Sequence, residues 1–187
     1  TFTKHTIDSA PEEAKENLAY AEKAYGFLPN LYRNMAEAPT LFGGYLKLSE
    51  VFGNTSFSET ERQIILMTNN RLNGCKYCMA AHTTIAQSHS VPDDVIEALR
   101  NNTPISDEKL EHLRQFAAII NETRGNPTEA ELKTFLDAGY TKQNVLEILV
   151  GTSLKILSNY TNHITHTELD EAFVPNSWSG VSSEAAE

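Results

Sequence analysis

Cys75 and Cys78 stand three positions apart, and His82 follows four residues after the second of them. The segment reads Leu72-Asn73-Gly74-Cys75-Lys76-Tyr77-Cys78-Met79-Ala80-Ala81-His82-Thr83. Gly74 can adopt the sharp backbone conformation that ends a helix, so the spacing predicts a new helix from about Cys75. On that helix positions i, i+3 and i+7 share a face, which brings both sulfurs and the imidazole to one side. Two cysteines one turn apart can form a reversible disulfide, and His82 is placed to draw a proton from Cys78. The positive end of the helix favours ionisation of Cys75, and the imidazole favours Cys78. Spacing leaves open which sulfur is the nucleophile. A low-pKa thiol beside a second one suits oxidation to a sulfenic acid followed by condensation to a disulfide.

Other uses of Cys-x-x-Cys fit less well. A structural zinc site takes four ligands, and only His82 is near in sequence, with His163 or an acid left to complete it. Haem attachment needs His directly after the second cysteine, where Met79 stands. An inert buried pair is the remaining alternative.

These residues are the only two cysteines in a chain of 187 residues, too few for the disulfide framework of a small secreted domain. The expectation is a reducing, cytoplasmic setting, and the N-terminus shows no charged-then-apolar leader pattern. With 15 basic and 25 acidic residues the net charge is −10, which disfavours phosphate backbones, so no nucleic-acid partner is expected. The longest unbroken apolar run, Ile64 to Met67, is short. The richer stretch from Val145 to Leu157 is interrupted by Glu147, Gly151 and Lys155, so no bilayer span and no membrane partner are expected.

The elements that must position the pair read as helices throughout. Ser9–Glu12, Ser58–Glu61 and Thr128–Glu131 have the spacing of capping boxes, and further starts are marked by Pro92, Ser106 and Thr141. Sustained period-2 alternation is lacking. Leu110, Leu113, Ala117 and Ile120 follow amphipathic spacing. Segments 59–72 and 142–160 are apolar on most faces and are expected at the centre, wrapped by other helices or by a neighbouring subunit. The reading is an all-α bundle of eight or nine short helices in one domain, 1–174, followed by a polar, disordered tail, 175–187. A weak echo links two halves: an apolar helix followed by Asn and His residues, at 64–82 and again at 145–163.

The stretch from Ser58 to His82 resembles the core of the carboxymuconolactone decarboxylase superfamily, in its alkylhydroperoxidase D-like branch. The Asn-Gly-Cys-x-x-Cys-x-x-x-His arrangement after an apolar helix carries the likeness. Gly26 to Pro39 and Ala138 to His163 extend it, so most of residues 20–173 is covered. The resemblance implies an AhpD-like helical fold, assembly into homotrimers or homohexamers, and thiol-dependent reduction of hydroperoxides without a metal or organic cofactor. It implies that Cys78 attacks the peroxide, that Cys75 resolves the disulfide, and that His82 relays protons. A dithiol donor, lipoyl or thioredoxin-like, would re-reduce the pair. Relatives carry a Glu in the relay twelve residues before the first cysteine, where this chain has Gln63, an amide that cannot take up a proton. Glu61 is assigned to the capping box, Tyr77 to the pocket wall, and His163 to the lining of the site. His5, His89, His112 and His166 read as surface residues. A lactone decarboxylase, whose branch lacks the cysteine pair, and a redox-sensing or zinc-binding helical module are the alternative functions.

Overall fold

The computed structural model describes residues 2–180. Among them the chain forms nine α-helices, a final 3-10 helix and no strand. The helices are α1 (Glu12–Tyr25), α2 (Asn30–Met35), α3 (Pro39–Gly53), α4 (Glu59–Leu72), α5 (Lys76–Ser88), α6 (Asp93–Asn101), α7 (Glu108–Glu122), α8 (Glu129–Asp137) and α9 (Lys142–Thr165). The 3-10 turn spans Glu171–Asn176. The architecture is all-α, as the sequence pattern implies.

Capping chemistry accounts for most helix starts. Ser58 and Glu61 close a reciprocal box at α4, Thr128 and Glu131 another at α8, and Thr141 pairs in the same way with Asn144 at α9. Asp107, rather than Ser106, caps α7 through the Leu110 amide. The box expected at Ser9 does not form. Pro11 holds an extended backbone and is itself the residue preceding α1, so Ser9 turns back and exchanges hydrogen bonds with Thr6.

α4 is the axis of the bundle, packed by α5, α6, α7 and α9, and every residue from Gln63 to Asn70 is buried. Burying each of its large aliphatic side chains contributes ~1.5–3 kcal/mol, which fixes this helix against lateral movement. α9 crosses α3 and α4 at Gly151. A β-carbon there would lie 2.7 Å from the Phe52 ring and 2.8 Å from Ile65, so the absence of a side chain permits the approach. α9 packs on α3 and α4, while Leu146, Leu149, Ile156, Tyr160 and Ile164 are exposed, so within the single chain it is not wrapped on all sides. It also runs unbroken where the first half breaks at Gly74, so the echo between halves does not extend to the order of elements.

Two further readings are corrected by packing. His5 is buried, its ring held between the Ser9 carbonyl at 3.0 Å and Glu37 at 2.8 Å. The segment just after Pro175 is docked rather than loose. Arg100 donates to the carbonyls of Asn176 and Ser177, and the Trp178 indole donates to the Arg100 carbonyl. The rest of the expected disordered tail, 181–187, lies outside the described residues.

Candidate dithiol site

The site is built at the α4–α5 junction. Gly74, at φ +66°, takes the left-handed conformation that non-glycine residues resist, and the Cys75 amide then donates back to the Asn70 carbonyl at 2.9 Å. Cys75 is the last extended residue before α5 and makes no side-chain cap. Its sulfur is thereby left free to face Cys78 in the first turn of the new helix. Both thiols are free and buried.

Asparagine side chains hold this junction in place. The Asn162 amide donates to Cys78 Sγ at 3.1 Å and to Cys75 Sγ at 3.6 Å, so one group on α9 contacts both sulfurs. Asn70 donates to the Cys78 carbonyl, Asn159 to Asn70, and Asn73 to Asn159. Asn121 on α7 completes the set by donating to Asn69 at 2.7 Å. The amide nitrogens bonded in this way fix one arrangement of the backbone beneath the thiols, while the buried Asn162 Oδ1 has no partner among the described residues.

A pocket of about 230 Å³ opens over this floor. Cys78, His82, Gln63 and Lys155 line it, with Tyr32, Tyr45, Phe52, Tyr77 and Phe173 as aromatic walls. Cys75 is not part of the lining. His163 is exposed on α9 and does not line the pocket, because its position on the helix turns it away from the α4 side. Tyr77, between the cysteines in sequence, donates to Asp170 at 2.6 Å.

A hydrogen-bonded chain runs along one wall from the mouth to the floor. The Glu59 carboxylate only accepts, so Gln63 Nε2 donates to it, at 2.8 Å. Gln63 Oε1 then accepts from His82 Nδ1–H at 2.9 Å, which leaves the His82 Nε2 lone pair to accept from Lys155 Nζ at 2.9 Å. His82 thus bonds to Gln63 and Lys155, and among the described residues it has no hydrogen bond to Cys78. At the mouth Glu59 also receives Arg62 at 2.9 Å and faces His89 at 3.2 Å.

Electrostatics separate the two sulfurs. Burial pushes the Cys78 thiol up, but the hydrogen bond from Cys75 and the nearby Lys155 cation outweigh it and bring Cys78 below the ordinary thiol range. Cys75 moves the other way, raised by that same hydrogen bond to Cys78 and by burial. His82 is held well below the usual imidazole value by burial and then by Lys155, so it is neutral. Lys155, Asn162 and Glu59 are components that the sequence reading did not single out. A lysine in an otherwise apolar helix was the available signal for the first.

Among the described residues no three His, Cys, Asp or Glu side chains are gathered as a metal would require. No described helix is long and apolar enough to cross a membrane.

The buried dithiol at the start of a helix stands on an all-α scaffold that known proteins share. The Carboxymuconolactone decarboxylase family profile matches residues 36–119, from the end of α2 into α7. That match spans less than half of the chain, and the fold as a whole is similar to that of an alkylhydroperoxidase AhpD core. A peroxidase-related protein of Ralstonia eutropha JMP134, described as an alkylhydroperoxidase AhpD core, superposes with a TM-score of 0.81 at 18% identity, covering 92% of this chain and 95% of that one. A peroxidase-related protein of Silicibacter sp. TM1040 gives 0.78 at 18% identity, over 91% and 93%. The debrominase Bmp8, solved as a cysteine-to-alanine variant with 2,3,4-tribromopyrrole, gives 0.77 at 19% identity, over 93% and 94%. At these identities the likeness speaks for the fold. No curated protein matches the sequence.

Proposed function

We propose that this chain is a thiol-dependent oxidoreductase of the alkylhydroperoxidase type, with Cys78 as the attacking sulfur and Cys75 as the resolving one. The observation that carries this reading is the asymmetry of the pair: Cys78 lines the pocket beside Lys155, and Cys75 sits behind it. In the reaction the Cys78 thiolate attacks the terminal peroxide oxygen of ROOH. The O–O bond breaks, the alkoxide leaves as ROH after taking a proton, and Cys78 becomes a sulfenic acid. Cys75 then attacks Cys78 Sγ, water leaves, and a disulfide forms. An external dithiol, lipoyl or thioredoxin-like, restores both thiols by exchange. The aromatic walls and the volume suit a small organic hydroperoxide.

His82 serves this chemistry through Lys155. With its lone pair engaged by the lysine, the imidazole orients the cation and connects it to Glu59 at the mouth, rather than drawing the proton from Cys78 itself. Glu59, a carboxylate one helical turn before Gln63, occupies the far end of the path that the expected relay acid would have entered at position 63.

The experiment is oxidation of the reduced protein by cumene hydroperoxide, followed by free-thiol counting and mass spectrometry. The expected product is an intramolecular Cys75–Cys78 disulfide. Cys75→Ser should stop at a sulfenic acid that dimedone traps. If Cys78→Ser consumes peroxide as fast as the wild type, the assignment is wrong. A second reading, reductive removal of halogen from a small aromatic, is favoured by the similarity to the debrominase and by the same aromatic walls. It predicts one bromide released from a bromopyrrole per disulfide formed.

A further inference from the structure

Lys155 is fully buried, and among the described residues no carboxylate lies within ion-pair distance, 4.0 Å, of its nitrogen. Its side-chain partner is the lone pair of a neutral imidazole. An ammonium in such surroundings is stabilised by a negative charge held close to it. Glu59 is not that charge, because Gln63 and His82 separate it from the lysine. The remaining candidate is the Cys78 thiolate, which lines the same pocket and also receives the Asn162 amide.

We propose that Lys155, on the pocket lining beside Cys78, is a small-anion site, its charge matched by the Cys78 thiolate in the reduced protein and by an exogenous monoanion in the pocket once that sulfur carries no charge. A single cation makes the two charges alternatives. Formation of the disulfide removes the thiolate charge and leaves Lys155, held by His82, on the pocket lining. The unmatched charge then favours a weakly hydrated monoanion such as a halide, since Tyr45 and Phe52 present aromatic walls to it. The redox half of this statement rests on the dithiol reading above, whereas the anion site itself does not.

Bromide serves as the probe and thermal unfolding as the readout, with sodium gluconate at equal ionic strength as the control. The reduced wild type and Cys75→Ser, which both keep the Cys78 thiolate, should show no saturable bromide effect at pH 8. Cys78→Ser, neutral at that pH, should bind bromide without any oxidation, its Tm rising by roughly 3–6 °C at ten times Kd. The diamide-oxidised wild type should behave likewise. Lys155→Met in the Cys78→Ser background should abolish the shift, and Lys155→Arg should retain part of it. A saturable shift in the reduced wild type equal to that in Cys78→Ser, or none in Cys78→Ser, overturns the anion site. A shift in Cys78→Ser but none after diamide instead indicts the disulfide and leaves the anion site standing.

Discussion

Lys155 Nζ lies 2.9 Å from His82 Nε2, and the ring is oriented so that its lone pair receives the lysine proton. The imidazole of the Cys-x-x-Cys-x-x-x-His arrangement is therefore engaged by a cation from α9 on one nitrogen and by Gln63 on the other. The group that bears directly on the charge of Cys78 is the lysine.

Removing that cation should be legible in thiol reactivity. Cys78 is held below the ordinary thiol range, so wild-type alkylation by iodoacetamide should persist below pH 8. Lys155→Met should move the midpoint of the pH–rate profile upward by about 1–3 units. The stability consequence has a definite sign. A thiol whose folded pKa is depressed contributes stability that is full above the unfolded thiol value, about 8.5, and is lost as pH falls through the folded value. The Tm of Lys155→Met should accordingly depend less on pH over that window. An unchanged alkylation profile in the variant would remove the lysine from the account.

The relay wall can be tested by exchanging its two α4 residues. Gln63→Glu alone places two carboxylates one helical turn apart and deprives Glu59 of its 2.8 Å amide donor, so Tm should fall. The double exchange Glu59→Gln with Gln63→Glu restores a donor–acceptor pair and puts a carboxylate directly on His82 Nδ1. His82 should then titrate at higher pH than in the wild type, followed by its ring proton resonances, and Tm should recover relative to the single variant. If Gln63→Glu is as stable as wild type and His82 does not move, the chain of hydrogen bonds is not what sets that histidine.

Gly151→Ala examines the crossing of α3, α4 and α9. Alanine gains up to ~1 kcal/mol of helix propensity, but the new methyl group meets Phe52 and Ile65 below 3.0 Å, and overpacking of this kind costs ~1–3 kcal/mol. The net expectation is a Tm lowered by several degrees in a thermal melt, with a weaker effect for the double variant Gly151→Ala with Phe52→Leu. A stabilised single variant would show that the helices can part at no cost.

The exposed face of α9 bears on assembly. Leu146, Leu149, Ile156 and Tyr160 are separated by three, seven and four residues, the spacing of a helix that packs against another. The trimer or hexamer implied by family resemblance is proposed to use this face. Ile156→Glu with Tyr160→Glu should then shift sedimentation toward monomer without loss of helical circular dichroism. A wild-type monomer at micromolar concentration would contradict the proposal.

The sequence announced some of this architecture by local chemistry. Ser58 and Glu61 at the head of α4, Thr128 and Glu131 at α8, and Gly74 at the junction are local devices, and each forms as its spacing predicts. Ser9 fails because Pro11 fixes an extended residue ahead of the helix, an effect the three-residue spacing alone does not convey. The site was readable as far as one helix carries it. Cys75, Cys78 and His82 are adjacent in sequence, whereas Lys155 and Asn162 reach them from α9, and helical periodicity does not say which turn of one helix faces which turn of another. His163 illustrates the difficulty: it lies one residue beyond Asn162 and faces outward. Lys155 read as an interruption in an apolar run because its partner, a histidine more than seventy positions earlier, becomes adjacent only after folding.

Tyr77 has a reach beyond the pocket wall. Its hydroxyl accepts from the Leu31 amide at 3.4 Å and donates to Asp170, which in turn receives the Asn30 amide at 3.1 Å. The residue between the two sulfurs is therefore the knot that ties α2 to the start of the 3-10 turn. A rearrangement of the Cys75–Cys78 backbone on closing a disulfide would pull on α2 and the 3-10 turn together, and amide hydrogen exchange at Asn30, Leu31 and Phe173 would rise as one cooperative unit.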